Sequence, residues 1–319
     1  MNFKQRLLRY AQSPRQGNTP SIPQPWGFFA SLATICLKFI FCFAPHLTAS
    51  DKKLRLHPIP ETGKYAKHSP TLGIFFIHKA SILVIFIIFA KIIKESIAMQ
   101  IVKFVFNPIQ ENTYVVWDET KECVVVDAGN LSAREDKVLA DFIAEQGLKP
   151  VLAVNTHCHF DHILGVEFLK MTYGVKFAAS SADLELLKSG RASGAMFGME
   201  LDALPEAIDI DLATTEEIKF GNTTLRVIAT PGHTQGCVSL LHEESKSLFT
   251  GDTLFRESIG RTDLPGGDYP TIIRSILDKI LPLGDEVTIY PGHAEKSTIG
   301  HESLYNPFVV EALNGEVNF

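Results

Sequence analysis

Three histidines and an aspartate lie within six consecutive positions of the 319-residue chain, in the segment THCHFDH. Alternate side chains of an extended segment share a face, so His157, His159 and Asp161 are expected to point the same way. A turn of the chain at this point would bring His162 alongside them. Imidazole and carboxylate groups at this density are typical of ligands for zinc or a similar borderline metal. Their close spacing disfavours the alternative, a set of unrelated surface histidines.

Three more candidate ligands each follow an apolar run that predicts a β-strand. His233 and His293 end the segments TPGH and YPGH, and Asp252 lies in the segment GDT. A Pro-Gly pair makes a tight turn that ends a strand and presents the next side chain at the rim of the sheet. One such motif carries little information, but two in a chain that already holds the first cluster predict a shared site.

The complete set of five histidines and two aspartates is too large for one tetrahedral ion and suits two. A carboxylate has two oxygens and a negative charge, so it can bridge two cations and offset part of their repulsion. Two metals roughly 3.5–4 Å apart can hold a hydroxide between them and lower its pKa towards 7. The sequence therefore predicts a metal-dependent hydrolase.

The elements that would position these residues alternate between strands and helices, which predicts an α+β fold. Short runs rich in Val, Ile, Tyr and Phe predict strands, and helical spacing predicts a helix over residues 133–146 that ends at Gly147. The predicted strands are 100–106, 113–117, 123–127, 151–155, 217–220, 224–229, 238–242, 247–250 and 287–290, and the other helices are 164–172 and 271–281. We expect two mixed sheets packed face to face with helices outside, an αββα sandwich.

Residues 99–319 resemble the metallo-β-lactamase superfamily, whose pattern is a His-x-His-x-Asp-His stretch followed by separate His, Asp and His residues. All seven positions match. The resemblance implies that His157, His159 and His233 hold one metal ion. It implies that Asp161, His162 and His293 hold the other, and that Asp252 bridges the two. Asp127 matches an aspartate at a strand end of this fold, and it is expected to orient a ligand.

Within the superfamily, the segments GDTLF and GRTD look like those of the glyoxalase-II group, including its short bacterial members, and of persulfide dioxygenases. Arg261 in the second segment is expected to meet an anionic substrate, or else to pair with a nearby aspartate; Arg256 is a weaker candidate. Only 26 residues follow His293, so the C-terminal helical domain with which full-length glyoxalase II helps bind glutathione is not expected, and glutathione dependence stays open.

The expected reaction is thioester hydrolysis by a metal-bound hydroxide, with Asp161 orienting the nucleophile and accepting its proton. The expected cofactors are two Zn²⁺ ions, with Fe or Mn possible in either site, and the expected partner is a small anionic thioester. One alternative is a persulfide dioxygenase with a single Fe(II) on His157, His233 and Asp252, a set that leaves positions open for oxygen. Another is a metal-binding module without catalytic activity.

Charge divides the chain at about Met99. Residues 1–98 hold 13 Lys and Arg against 3 Asp and Glu, whereas residues 99–319 hold 17 against 33. The acidic second part argues against nucleic acid as a partner. We interpret the first part as a mis-assigned translation start, with a membrane anchor or a targeting segment as alternatives. Five cysteines without a regular framework predict reduced thiols and a cytoplasmic location, or a membrane-anchored one if residues 1–98 are translated.

Overall fold

Two six-stranded sheets form the centre of the fold. The computed structural model describes residues 99–201 and 203–315, so the interpretations of residues 1–98 lie outside it. The first sheet has the order β1-β2-β3-β4-β5-β6. Its strands are β1 (Gln100–Phe106), β2 (Glu111–Trp117), β3 (Glu122–Val126), β4 (Lys149–Val154), β5 (Lys176–Ala179) and β6 (Ile210–Asp211). The first three strands pair antiparallel and the rest pair parallel, so this sheet is mixed.

The second sheet is also mixed and has the order β14-β13-β10-β9-β8-β7. Its strands are β7 (Glu217–Phe220), β8 (Thr223–Ala229), β9 (Val238–His242), β10 (Ser247–Gly251), β13 (Thr288–Pro291) and β14 (Ser297–Thr298). Only β10 and β13 pair parallel. A small hairpin of β11 (Leu254–Phe255) and β12 (Ser258–Ile259) follows β10.

Seven helices accompany these sheets in the described residues. They are α1 (Ala133–Gln146), α2 (Phe160–Ile163), α3 (Val166–Tyr173), α4 (Leu184–Met196), α5 (Tyr269–Ser275), α6 (Ile299–Tyr305) and α7 (Pro307–Leu313). The sequence predicted α1 with its observed bounds. Ser132 and Glu135 form a capping box at its start, and Gly147 ends it with φ of 64°. No helix in residues 99–201 and 203–315 is long and apolar enough to cross a membrane.

Three apolar layers give the αββα architecture predicted from the sequence. In β2, Val115 and Trp117 pack with the outer helices α1, α3 and α4, whereas Tyr114 and Val116 pack against the second sheet. A third layer joins α5, α6 and α7 to the far face of the second sheet. Because β2 and β3 are covered on both faces, their later residues, YVVW and CVVV, are continuously apolar rather than alternating between polar and apolar.

The structure departs from the sequence prediction around the first ligand segment and in the later helices. The helix expected over 164–172 is α3, which begins two residues later, and a separate four-residue helix that was not predicted, α2, precedes it. The helix expected over 271–281 begins earlier as α5 and continues into a wider π-helical turn, Ile276–Ile280. The sequence did not predict β5, α4, α6 and α7.

Candidate metal centre

All the predicted ligands follow the carboxyl ends of strands, where both sheets meet. The segment that carries the first four begins after β4, His233 follows β8, Asp252 follows β10, and His293 follows β13. The two sheets are joined at this edge, because the Asn112 backbone N–H donates to the Gly292 carbonyl at 2.7 Å. The Tyr114 hydroxyl also donates to the Pro291 carbonyl, again at 2.7 Å.

Three histidines form the first candidate site. One ligand nitrogen from each of His157, His159 and His233 lies within 4.8 Å of the other two. The Nδ1 atom of His159 and the Nε2 atom of His233 are 2.8 Å apart. Burial lowers the pKa of His157, and burial together with the His233 charge lowers that of His159 to about 4. Both imidazoles are therefore neutral at pH 7 and offer lone pairs to a cation.

Asp161, His162 and His293 form the second candidate site. The Oδ2 atom of Asp161 lies 3.3 Å from His293 Nε2 and 3.6 Å from His162 Nε2. The alternation argument fails for Asp161, which we expected to share a face with His157 and His159. Helix α2 begins at Phe160, so the chain is no longer extended there and the carboxylate turns towards His293.

Asp252 lies between the two groups. Its Oδ1 atom is 3.6 Å from His162 Nε2, and its Oδ2 atom is 3.6 Å from the Nε2 atoms of both His233 and His293. Burial disfavours the charged form of Asp252, but the neighbouring His162 and His293 outweigh burial and hold its pKa well below the usual range. An ionised carboxylate that lies 3.6 Å from ligand nitrogens of both groups has the position expected of a bridge.

The buried polar atoms of the site fit a pair of cations. His157 Nε2, His162 Nε2 and Asp252 Oδ1 are buried and make no hydrogen bond. A buried polar atom without a partner costs about 1–3 kcal/mol, so such atoms in a folded protein require an explanation. Imidazole nitrogens and a carboxylate oxygen that converge within one cluster are the donor set for divalent metals of the zinc and iron class.

Two glycines let the chain pass close to these ligands. A Cβ atom on Gly292 would lie 2.2 Å from Asp252 Oδ1 and 2.7 Å from His162 Cε1. Gly232 has φ of 138°, and a Cβ atom there would lie 2.2 Å from the backbone nitrogen of Ile272. The glycine of each Pro-Gly-His motif is therefore required by space at both positions, and by backbone conformation at Gly232.

Asp127 supports the ligand segment from the first sheet. Its Oδ1 atom accepts a hydrogen bond of 2.7 Å from the Thr156 backbone N–H, and its Oδ2 atom accepts one of 2.7 Å from the Thr156 hydroxyl. The same Oδ2 atom lies 3.3 Å from His162 Nδ1. The aspartate at the end of β3 thus contacts a candidate ligand, in the place where the sequence predicted an orienting residue.

Asp183, which precedes α4, was missed by the sequence analysis. Its carboxylate accepts hydrogen bonds from the Cys158 backbone N–H at 3.1 Å, the Thr234 hydroxyl at 2.8 Å and the Gly236 backbone N–H at 2.7 Å. Burial raises its pKa, against the effect of these three bonds. Two of the three donors are backbone groups, which no sequence motif marks.

The two candidate substrate residues follow Asp252 in the chain. The Arg261 guanidinium forms two hydrogen bonds of 2.7 Å with the Asp263 carboxylate, and the Arg261 carbonyl oxygen lies 2.7 Å from His233 Nδ1. Its side chain is about half exposed, and a role in substrate binding stays a prediction. The exposed Arg256 lies 3.7 Å from Glu257. Phe255, which precedes Arg256, places its ring centroid 6.2 Å from that of His293.

Comparison with known proteins gives relatives with more than one activity. The chain is 36% identical over 203 residues to hydroxyacylglutathione hydrolase GloC of Haemophilus influenzae, covering 63% of this chain and 93% of the relative. It is 35% identical over 201 residues to mitochondrial persulfide dioxygenase ETHE1 of Mus musculus, covering 61% of this chain and 70% of the relative.

Solved structures have the same fold. BLEG-1, a B3 metallo-beta-lactamase, aligns with a TM-score of 0.61 and 33% identity over 66% of this chain and 99% of its own. TTHA1623 in a di-iron-bound form aligns with a TM-score of 0.58 and 30% identity over 65% of this chain and 99% of its own. Residues 106–293, which include all seven candidate ligands, match the metallo-beta-lactamase superfamily. The chain therefore belongs to the metallo-beta-lactamase superfamily.

Proposed function

We propose that this member of the superfamily hydrolyses a small thioester, using two divalent metal ions held by the seven ligands. One observation carries the proposal: two groups of three ligands with Asp252 between them, in which His157 Nε2, His162 Nε2 and Asp252 Oδ1 are buried and make no hydrogen bond. A donor set for two ions favours hydrolysis over chemistry at a single ion. The similarity to a hydroxyacylglutathione hydrolase over 93% of its length supports a thioester as the substrate.

The first group would hold one ion through its three imidazoles, and the second would hold the other through Asp161, His162 and His293. Two divalent cations held by these residues would supply a hydroxide at neutral pH and a Lewis acid for the carbonyl oxygen. We expect Zn²⁺ in both positions, with Fe or Mn as the alternative ions.

Asp161 is the proposed catalytic residue of the chain. Its carboxylate lies 3.3 Å from His293 Nε2 within the second group, and we expect it to accept a hydrogen bond from the attacking water and take its proton. The departing thiol has a pKa near 8.5 and leaves as a thiolate, so the reaction requires no strong general acid. We assign the binding of an anionic part of the substrate to Arg261, whose backbone carbonyl oxygen lies 2.7 Å from His233 Nδ1.

The second candidate function is oxidation of a persulfide by one iron ion on His157, His233 and Asp252. Two observations favour it: the similarity to ETHE1, and the distance of 3.6 Å between His233 Nε2 and Asp252 Oδ2. This function leaves His159, His162 and His293 without a role as ligands. The proposal of two ions is preferred because it uses the whole cluster.

Metal content and turnover separate these functions. We would purify the full chain without added metal, count the bound ions, and assay a hydroxyacylglutathione thioester and glutathione persulfide in parallel. Two ions per chain with thioester cleavage are expected. One iron per chain with oxygen consumption on the persulfide would establish the second function instead. Bound metal without turnover of either substrate would refute both enzymatic functions and favour a metal-binding module.

A further inference from the structure

The carboxylate of Asp183 joins two ligand segments that are far apart in the chain. Its Oδ2 atom accepts from the backbone N–H of Cys158, which lies between His157 and His159. The same atom accepts from the hydroxyl of Thr234, which follows His233, and Oδ1 accepts from the Gly236 backbone N–H. The residues that donate these hydrogen bonds are next to, or shortly after, the three histidines of the first group. None of them is adjacent to a ligand of the second group.

The position of Asp183 in the fold shows that its carboxylate does not serve the helix that it precedes. Asp183 occupies the N-cap position of α4, where an aspartate commonly accepts a hydrogen bond from the first turn of the helix. Here the side chain makes no such bond. It is only 2% exposed, and its hydrogen bonds all go to the two ligand segments and the turn after His233.

The turn after His233 packs closely against this carboxylate. A Cβ atom on Gly236 would lie 2.5 Å from Asp183 Cγ, so the turn after His233 approaches the carboxylate as closely as a backbone can. Thr234 is held on its other side by Cys237, whose Sγ atom lies 3.1 Å from the Thr234 hydroxyl and 3.4 Å from its backbone nitrogen. The segment with His233 is therefore fixed relative to the segment with His157 and His159.

We infer that Asp183 is a positioning residue for the first metal site, which sets the distance between His233 and the pair His157 and His159. The inference rests on the proposed metal centre and assigns a role within it. Residues that orient metal ligands typically change metal affinity by 10- to 100-fold when they are substituted. The effect is expected at one of the two sites, because the donors to Asp183 lie next to or shortly after His157, His159 and His233, and none of them is adjacent to Asp161, His162 or His293.

The test is the substitution Asp183→Asn, which keeps the size of the side chain. An amide has one acceptor oxygen and an NH₂ group, so whichever way it is oriented, the NH₂ group faces a backbone N–H. Metal is removed from the full-length protein with a chelator, and Zn²⁺ is titrated back against a chromophoric competitor. The wild-type chain is expected to bind two ions. The Asp183→Asn variant is expected to bind one with unchanged affinity and the other roughly 10- to 100-fold more weakly.

Asp118 offers a matched control. It is also 2% exposed and accepts backbone hydrogen bonds, from Thr120 at 2.9 Å and Asn222 at 2.6 Å. It follows the end of β2 that is remote from the metal centre, roughly 20 Å along the strand from Glu111, whose backbone pairs with His293. Asp118→Asn is expected to lower the thermal unfolding temperature and leave the affinities of both metal sites unchanged.

The outcomes separate this inference from the proposed function. A wild-type chain that binds no metal overturns the metal centre itself, whatever Asp183 does. Wild-type binding of two ions with both affinities unchanged in Asp183→Asn, or with both reduced equally, overturns the positioning role. If Asp183→Asn does not fold, as judged by circular dichroism, the substitution Thr234→Val decides. It removes one of the three hydrogen bonds, and an unchanged affinity at the first site overturns the inference.

Discussion

Substitution of His162 by alanine distinguishes the two proposed enzymatic functions. His162 is completely buried, and its Nε2 atom makes no hydrogen bond. That atom lies 3.6 Å from Asp161 Oδ2 and 3.6 Å from Asp252 Oδ1. In the two-metal hydrolase it is a ligand, whereas a single iron on His157, His233 and Asp252 does not use it.

The size of the effect follows from the remaining ligands. Without His162 the second ion keeps only Asp161, His293 and the shared Asp252, whereas the first ion keeps its three histidines and Asp252. We therefore expect bound metal to fall from two ions per chain to one. Loss of one ion removes several kcal/mol of barrier lowering. A loss of about 3 kcal/mol corresponds to a thioester cleavage rate roughly 100-fold lower.

The assay is metal analysis of the purified variant together with thioester turnover. His242→Ala is the matched control, because His242 is only 8% exposed in β9 and forms a local hydrogen bond of 2.7 Å with the Ser245 hydroxyl. The control is expected to lose some stability and to keep both ions. If His162→Ala keeps two ions and a normal rate, His162 is not a ligand. If it keeps one iron and consumes oxygen with a persulfide, the dioxygenase replaces the hydrolase.

Four further predictions concern the bridge, a glycine, a buried carboxylate and the start of the chain. Asp252→Ala should lose both ions and all turnover, because two cations would then face each other without a shared carboxylate; a full metal complement would contradict this. Gly292→Ala should reduce metal content, since its Cβ atom would lie 2.2 Å from Asp252 Oδ1; an unchanged metal titration would refute the argument. Burial opposes a lowered pKa at Asp118, but hydrogen bonds from Thr120 and Asn222 outweigh it. The hydrogen bonds to the ionised Asp118 carboxylate stabilise the folded protein above the unfolded pKa of about 3.8, and this contribution is lost as the pH falls through the lower folded pKa. Asp118→Asn lacks this contribution, so its stability should fall less steeply between about pH 4 and 2 than that of the wild type. A chain that begins at Met99 should keep full activity, because all seven proposed ligands lie beyond it; an inactive product beside an active full chain would refute this.

The sequence predicted the candidate site well because its residues follow strands. A strand has a strong local signal, and the residue after its carboxyl end must lie at the rim of the sheet. His233, Asp252 and His293 could therefore be placed at one edge without knowledge of the order of the strands. The error at Asp161 arose because a four-residue helix, α2, has no periodic signal long enough to be recognised.

The sequence did not predict helix α4 because it contains glycines, which disfavour a helix but allow close packing. A Cβ atom on Gly190 would lie 2.9 Å from Leu204 Cδ1, and one on Gly194 would lie 2.4 Å from Leu201 Cδ1. The glycines allow the segment after the helix to cross it closely, and each costs the helix about 1 kcal/mol relative to alanine. With glycine at these positions, the sequence did not predict a helix. Asp183, which precedes α4, was therefore missed as well.

The ligand segment is held from two sides by carboxylates that are not themselves proposed ligands. Asp127, at the end of β3, takes both donors of Thr156, and Asp183, at the start of α4, takes the backbone N–H of Cys158. Asp127 has φ of 51°, a conformation that ends β3. The chain between Thr156 and Cys158 includes His157, whose backbone position is therefore determined by the fold on both sides. These hydrogen bonds join protein groups, so the fold itself contributes to the position of the ligand segment.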